Sequence, residues 1–504
     1  MAAQTCEDVV HRISSSSGQE LMEALQDLSA LVNSPSYNLR EIAPLVPAYL
    51  LFGCLNTKNA EQILLCTRIL TKLLSVEKAD AIIKNYRDYV IEGLNHPVYM
   101  VRDFCFGELA KCSASINGLL ALLDNVDLLV YITRSLDDDS TPAKEASKIL
   151  INVAKHDSGL ELVFQHQIQS ELESLLQKNS IIRCRVYDLT IQIQALSDKA
   201  FEGCKKCGIL EKLTKELDTD DPLMRLSCLE LLKELANSGQ NGLMFVEESG
   251  FVTKLHNLLL SEDGDSLMHF VLPGIVRFFG NLAQSRPVQV AEKYPAFFQK
   301  LVSFLKADDY ILRMNATQTV GAIARSETGL RVVFDDKNQN GEVMKILFSN
   351  IRSPEGDLNT LSLEALASIF FSADMPSDDL SEVTKRLFDA MAPRPLQVLM
   401  EVSKQPFQDV HCAVLQMLTS LAKYKWAQKD MTTCPGFLEY LLDRTTETAK
   451  IGREHKYDLI VALVRSPFSK EVFGKPFYLR LQEYEREGPF YVRAQGAVAF
   501  EGED

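Results

Sequence analysis

Cys204 and Cys207, separated by Lys205 and Lys206, have the spacing of half a zinc site. A structural zinc needs a second pair of ligands, commonly about 12–20 residues away. The nearest cysteines, Cys184 and Cys228, each stand alone. A redox Cys-x-x-Cys wants a thioredoxin-like strand beside it, and none is readable. The 8 histidines (His11, His96, His156, His166, His256, His269, His411 and His455) are scattered, and none lies four residues from another with a Glu between them. Gly-rich phosphate loops and Gly-x-Ser-x-Gly are absent. Paired carboxylates lie in turn-like stretches, where capping explains them more simply than acid–base work. The expectation is therefore no catalysis, no metal and no cofactor.

The elements that carry these residues repeat. A block of the form Asp-Pro-x-x-Arg, then Glu-Leu-Ala, then Ser-Gly-Phe-Val recurs about every 42 residues. Its clearest copy is Asp221, Pro222 and Arg225, then Glu234-Leu235-Ala236, then Ser249-Gly250-Phe251-Val252. The apolar–Ala pairs ending at Ala110, Ala154, Ala236, Ala283, Ala324 and Ala422 are 44, 82, 47, 41 and 98 residues apart, so two weaker units fill the double gaps. These run from Arg183 to Leu196 and from Leu361 to Phe371. Cys207-Gly208-Ile209-Leu210 and Ser249-Gly250-Phe251-Val252 are 42 apart, and Cys434-Pro435-Gly436-Phe437-Leu438 is a later copy.

Each unit reads as helices. Leu223, Leu226, Leu229, Leu231, Leu232 and Leu235 fall at threes and fours, which predicts one buried helix face. Asp221-Pro222 and Thr141-Pro142 place a cap before a Pro at the first helical position, and Asn95 and His96 precede Pro97 in the same way. Gly208 and Gly250 sit where one helix stops and the next begins. The reading is an all-α, armadillo/HEAT-like right-handed α-solenoid of about ten repeats. Residues 1–17 are expected as a flexible lead-in, 18–487 as the solenoid and 488–504 as a tail ending in Glu501, Glu503 and Asp504.

With 53 Lys and Arg against 68 Asp and Glu, the formal net charge is −15. The acids cluster in turns: Asp137 to Asp139, Asp218 with Asp220 and Asp221, Glu262-Asp263, Asp308-Asp309, Asp335-Asp336 and Asp378-Asp379. Solubility and helix capping explain most of this; the sharper reading is a surface for a basic protein. No basic stripe favours nucleic acid. No apolar run approaches the roughly 20 residues that cross a bilayer, and the N-terminus has neither a basic start nor an apolar core. The cysteines number 11; Cys105 and Cys228 each lie three residues after a repeat Arg, where Ala316 stands in another unit. A small buried slot filled by reduced thiol or methyl suggests the cytosol or nucleus.

A binding surface follows from helix geometry. In armadillo-type units the helix ending in the Leu-Ala pair lines the concave groove, and residues two and six before the Ala share a face. These are Phe104 and Glu108, Lys148 and Asn152, Glu230 and Glu234, Arg277 and Asn281, Gln318 and Ala322, Gln416 and Ser420. The mixture suits a folded domain better than one extended basic peptide. The recurrent basic residues Arg102, Lys144, Arg183, Arg225 and Arg313 are expected to bond near the buried turn of a neighbouring unit. Trp426, the single Trp, falls beyond this face.

Three stretches go further than generic repeats. They are Leu272-Pro273-Gly274-Ile275-Val276-Arg277-Phe278-Phe279-Gly280-Asn281-Leu282-Ala283, then Gln405-Pro406-Phe407 running on to Lys425-Trp426-Ala427-Gln428-Lys429 and Pro435-Gly436-Phe437-Leu438-Glu439-Tyr440, and finally Glu487-Gly488-Pro489-Phe490-Tyr491-Val492. Together they resemble the 26S proteasome non-ATPase regulatory subunit 5 family, over residues 20 to 495. The resemblance implies a chaperone for assembly of the regulatory particle base. Such a protein holds the C-terminal domain of an AAA-ATPase, regulatory subunit 7, in its concave face. Through that subunit it gathers regulatory subunit 4 and non-ATPase regulatory subunit 2, and it leaves before the mature proteasome forms. A cytoplasmic monomer that touches neither nucleic acid nor membrane is expected. The alternative is a generic armadillo-type scaffold or transport adaptor.

Overall fold

The computed structural model describes residues 2–35, 38–260, 268–334, 340–355 and 357–491. The acid pairs Glu262-Asp263 and Asp335-Asp336 and the tail from 492 onward lie outside them. The described residues are helical throughout, with no strand among them, and divide into unit 1 (Met1–Ser249) and unit 2 (Gly250–Asp504). The fold is all-α, as expected.

Unit 1 is built from layers that each carry one long helix. Gln19–Asn33, Ala60–Leu74, Tyr99–Ser113, Ser140–Ala154, Ser180–Gln194 and Pro222–Asn237 pack side by side in chain order. Shorter helices back them, as Val126–Arg134 and Asp157–Val163 do for Ser140–Ala154. Residues 2–15, read above as a lead-in, form a helix, Ala2–Ser15, with Cys6, Val9 and Ile13 buried. Those apolar positions at threes and fours give it a face to lay against Gln19–Asn33.

Pro222–Asn237 shows why the repeat motif makes a helix. Asp221 Oδ1 accepts from the Leu223 and Met224 backbone N–H at 3.0 and 3.3 Å, and these bonds, Met224's first, hold its carboxyl below the usual range. Pro222 at the first position gives up an N–H that has no partner there anyway. Asp221→Ala is expected to cost about 1 kcal/mol in denaturant unfolding; an unchanged midpoint would remove this cap from the account. The core side is Met224, Cys228, Leu229, Leu231, Leu232 and Leu235. Leu223, expected among them, is 73% exposed. At the first turn it points away from the shorter helices, and Met224 takes the buried position instead.

Two other start signals shift. The helix at Pro142 begins earlier, at Ser140 after Asp139, and Pro142 stays in the first turn where no bond is lost. The helix after Pro97 begins only at Tyr99, because His96 Nδ1 takes the Val98 N–H at 3.1 Å. The junction glycines behave as read: Gly208, Gly250 and Gly436 have φ of 73°, 73° and 77°, the left-handed turn that an L side chain resists.

In unit 2, Met268–Ser285, Tyr310–Ala324, Leu358–Ile369, Gln408–Leu421 and Lys450–Arg465 likewise lie side by side. The small slot is buried in both units, with Cys105, Cys228 and Ala316 at most 1% exposed. Cys204 and Cys207 are spent on the backbone. Cys204 Sγ donates to Thr190 O at 3.7 Å and Cys207 Sγ to Cys204 O at 3.0 Å, and burial pushes both thiols up. No group of His, Cys, Asp and Glu that could hold a metal occurs among the described residues.

Candidate protein-binding face

The recurrent basic residue is a turn lock. Six residues before it the chain leaves the preceding helix, and its side chain reaches back to the carbonyl there. Arg102 Nη1 donates to His96 O at 2.9 Å, Arg225 Nε to Thr219 O at 2.5 Å, Arg313 Nη1 to Ala307 O at 2.6 Å and Arg453 Nε to Glu447 O at 3.0 Å. Arg183 reaches Lys178 O at 3.1 Å. The same guanidinium takes a carboxylate from the next layer: Arg102 with Asp138 and Asp139, both at 2.8 Å, Arg183 with Glu216 at 2.9 Å, and Arg313 with Glu355. Lys144 stands in the series but is exposed. Turn acids are thus largely matched within the fold: Asp137 pairs with Lys178 and Asp379 with Arg331, while Asp309 caps Leu312 N at 2.8 Å. That leaves the acidic-surface reading with few of its members.

The long helices of unit 1 lie side by side, and grooves run between several of them. Between Ala60–Leu74 and Tyr99–Ser113 the groove is about 630 Å³, with Leu64, Thr67, Arg68, Met100, Asp103 and Phe104 in its walls. Between Ser140–Ala154 and Ser180–Gln194 it is about 370 Å³, lined by Lys144, Lys148, Ile151, Arg185, Asp188 and Gln192. The next, about 410 Å³, lies between Ile181 and Cys184 on one side and Leu223 and Ser227 on the other.

Most of the expected groove residues reach this face. Phe104 is half-buried, with its ring centroid 6.2 Å from that of Phe52. Lys148 is exposed and pairs with Glu145 at 2.5 Å. Asn152 is half-buried and spans to the preceding long helix, its Nδ2 donating to Ser113 Oγ at 3.1 Å. Glu230 pairs with Lys233, and Glu234 is exposed. Glu108 is different: it is 5% exposed, its carboxylate held by Lys111 Nζ at 2.7 Å. Its side chain turns into the packing between helices, which leaves Lys111 at the surface.

In unit 2, Arg277, Gln318 and Gln416 are exposed, and Asn281 and Ser420 are half-buried. Asn281 Nδ2 donates to Arg277 O at 2.9 Å. Trp426 packs elsewhere, 5.0 Å from Phe388 and 5.6 Å from Tyr424, with Lys385 Nζ 5.3 Å from its ring.

Between its first and last anchors, the reading by Leu-Ala pairs passed over two layers. In Ser180–Gln194 the same positions hold Asp188 and Gln192, joined at 2.7 Å; burial raises the Asp188 carboxyl. In Leu358–Ile369 they hold Glu364 and Ser368, followed by Phe371, whose ring lies 4.2 Å from the Arg325 guanidinium and 5.7 Å from Lys423 Nζ. The missing signal is the closing Ala: Gln194 and Phe370 fill that slot.

Among the described residues the geometry offers surface and no convergent reactive set: exposed polar side chains on helices that lie side by side, with shallow grooves between them. Comparison with known proteins follows the chain from end to end. The family described as "Proteasome non-ATPase 26S subunit" matches over residues 2–504. A Bos taurus protein named 26S proteasome non-ATPase regulatory subunit 5 is 32% identical over 484 residues, which is 95% of this chain and 96% of that one. The Homo sapiens protein of the same name is 31% identical, with the same coverage. A Drosophila melanogaster protein of that name is 25% identical over 76% of this chain and 74% of its own. Among solved structures, an engineered protein is similar at 18% identity and a TM-score of 0.42, covering 92% of this chain and 99% of that one.

Proposed function

The chain belongs to the family of proteasome non-ATPase 26S subunits, and from that membership we propose that it is a chaperone for assembly of the proteasome regulatory particle base. In this reading the long-helix face holds the C-terminal domain of a base AAA-ATPase, regulatory subunit 7. Regulatory subunit 4 and non-ATPase regulatory subunit 2 join through that subunit, and the protein departs before the mature proteasome forms. It acts by binding and performs no catalysis of its own. The observation that carries the reading is the match to proteins of one proteasomal name over 95% of the chain. The side-by-side layers support it, because stacked helical units offer broad faces that suit folded-domain ligands.

A ligand domain seated on such a face is withheld from every other surface that needs it. Release then requires a competing assembly step. Purification of a tagged copy from cells tests the reading. Recovery of base ATPases without the proteolytic core is the expected result. Recovery of cargo or cytoskeletal proteins instead would favour a generic scaffold or transport adaptor, and stoichiometric proteolytic core would contradict release.

A further inference from the structure

Three cations on the unit 1 face are not used in the way the turn cations are. Arg102, Arg134, Arg183 and Lys178 all hold carboxylates within unit 1. Arg68, Lys72 and Lys144 are exposed on the long-helix face and have no ion pair among the described residues. Arg68 and Lys72 lie four apart on Ala60–Leu74, one turn from each other. Beside them the groove toward Tyr99–Ser113 has an apolar wall: Leu64 is 38% exposed, and Met100 and Phe104 stand opposite. The acids on this face are Asp103, in the same groove, Asp188, which Gln192 binds, Glu145 and Glu230, which Lys148 and Lys233 hold, and the exposed Glu234. In a chain of net charge −15, Arg68 and Lys72 place unmatched positive charge beside a groove with an apolar wall, and Lys144 adds a third in the groove between Ser140–Ala154 and Ser180–Gln194.

We propose that this strip of unit 1 docks an acidic, leucine-bearing segment of the protein partner, with an apolar side chain in the groove between Ala60–Leu74 and Tyr99–Ser113 and carboxylates on Arg68, Lys72 and Lys144. Charge complementarity selects this occupant over a basic one. Opposite potentials steer the encounter, and like charges on a basic segment would be repelled. The biological use of the strip rests on the proposed function above, but its chemistry can be tested apart from it.

The test is fluorescence anisotropy of the full chain with a short labelled peptide of Glu, Asp and Leu, against a counterpart carrying Lys at every acidic position. The acidic peptide is expected to bind, the basic one not, and added salt to weaken binding through screening. Replacing Arg68, Lys72 and Lys144 together by Gln should lower affinity about tenfold or more with the thermal midpoint unchanged, since none of the three holds a structural bond; Arg68→Lys should bind as the native chain does. Equal affinity for the two peptides, or undiminished affinity in the folded triple variant, overturns the inference. Failure to capture base ATPases while the peptide still binds would sink the proposed function and leave this inference standing.

Discussion

Lys456→Met is expected to destabilise unit 2 by about 3–5 kcal/mol. Lys456 is 1% exposed, and its ammonium is fully engaged. Nζ donates to Tyr440 O and Asp443 O, both at 2.5 Å, and to Thr446 Oγ1 at 2.6 Å, and lies 4.4 Å from the Tyr440 ring centroid. Beside it is Glu447, 5% exposed, which accepts from Tyr440 Oη at 2.8 Å and faces His411 Nδ1 at 3.3 Å. Together these groups close the turn between Phe437–Leu442 and Lys450–Arg465. Arg444, in the same turn, holds Glu487 at 2.9 Å and Gly488 O at 2.8 Å. Methionine matches the length of the lysine stem but removes the donor to two carbonyls and a hydroxyl and the counter-charge of a buried carboxylate. Lys450→Met, at an exposed lysine 3.8 Å from Glu454, should change stability by less than about 0.5 kcal/mol.

The pH dependence separates charge from packing. Burial pulls the Lys456 ammonium down to about 8, against the pull of Glu447 and Asp443. Its folded value lies below its unfolded one, so between about pH 8 and 10.5 the unfolded chain binds more protons. Stability therefore rises with pH through that window. Lys456→Met lacks this gain, so the gap between the two proteins should widen from pH 8 upward. Guanidinium unfolding at several pH values reads both effects. A loss below about 1 kcal/mol would show that Lys456 does not organise this turn, and a gap that narrows would show that burial does not disfavour its ammonium.

Legibility of the sequence followed the strength of the local physical constraint. The junction glycines were readable because positive φ admits little else, and the cysteine slot because its size is set by neighbouring helices. Leu223 was misplaced: apolar spacing marks a stripe, but at a first turn it cannot say whether the stripe still faces the core. Pro97 misled because a histidine ring, and not a capping side chain at the proline, satisfies the first N–H. The face itself was found by counting back from an alanine. Asp188, Gln192, Glu364 and Ser368 were therefore lost where the closing slot holds Gln194 or Phe370. Arg68 and Lys72 sit in a layer whose long helix ends in Leu73-Leu74, so the same count could not reach them. Glu108 was counted in because spacing fixes a residue's direction from the helix axis and not whether Lys111 will cover it.

Gly321→Leu is expected to cost about 3 kcal/mol, and the reason concerns how closely the long helices lie. A glycine inside a helix costs about 1 kcal/mol against alanine, so Tyr310–Ala324 would be a better isolated helix without it. A Cβ at Gly321 would stand 2.7 Å from Ala365 Cα and 3.0 Å from Ala365 Cβ on Leu358–Ile369. The backbone of the neighbour occupies the space, and no side-chain rotation relieves it. Leucine must therefore push the two helices apart, which loosens contacts along both and shifts the spacing of the face they present. Gly107 supplies the control with opposite sign. It lies within Tyr99–Ser113, and nothing stands within 4 Å of its would-be Cβ, so Gly107→Ala should stabilise by up to about 1 kcal/mol. Gly321→Ala should be destabilising but partly restored by Ala365→Gly, because the two changes act on one contact. If Gly321→Ala stabilised the chain as Gly107→Ala does, close packing between these long helices would not be what holds their spacing.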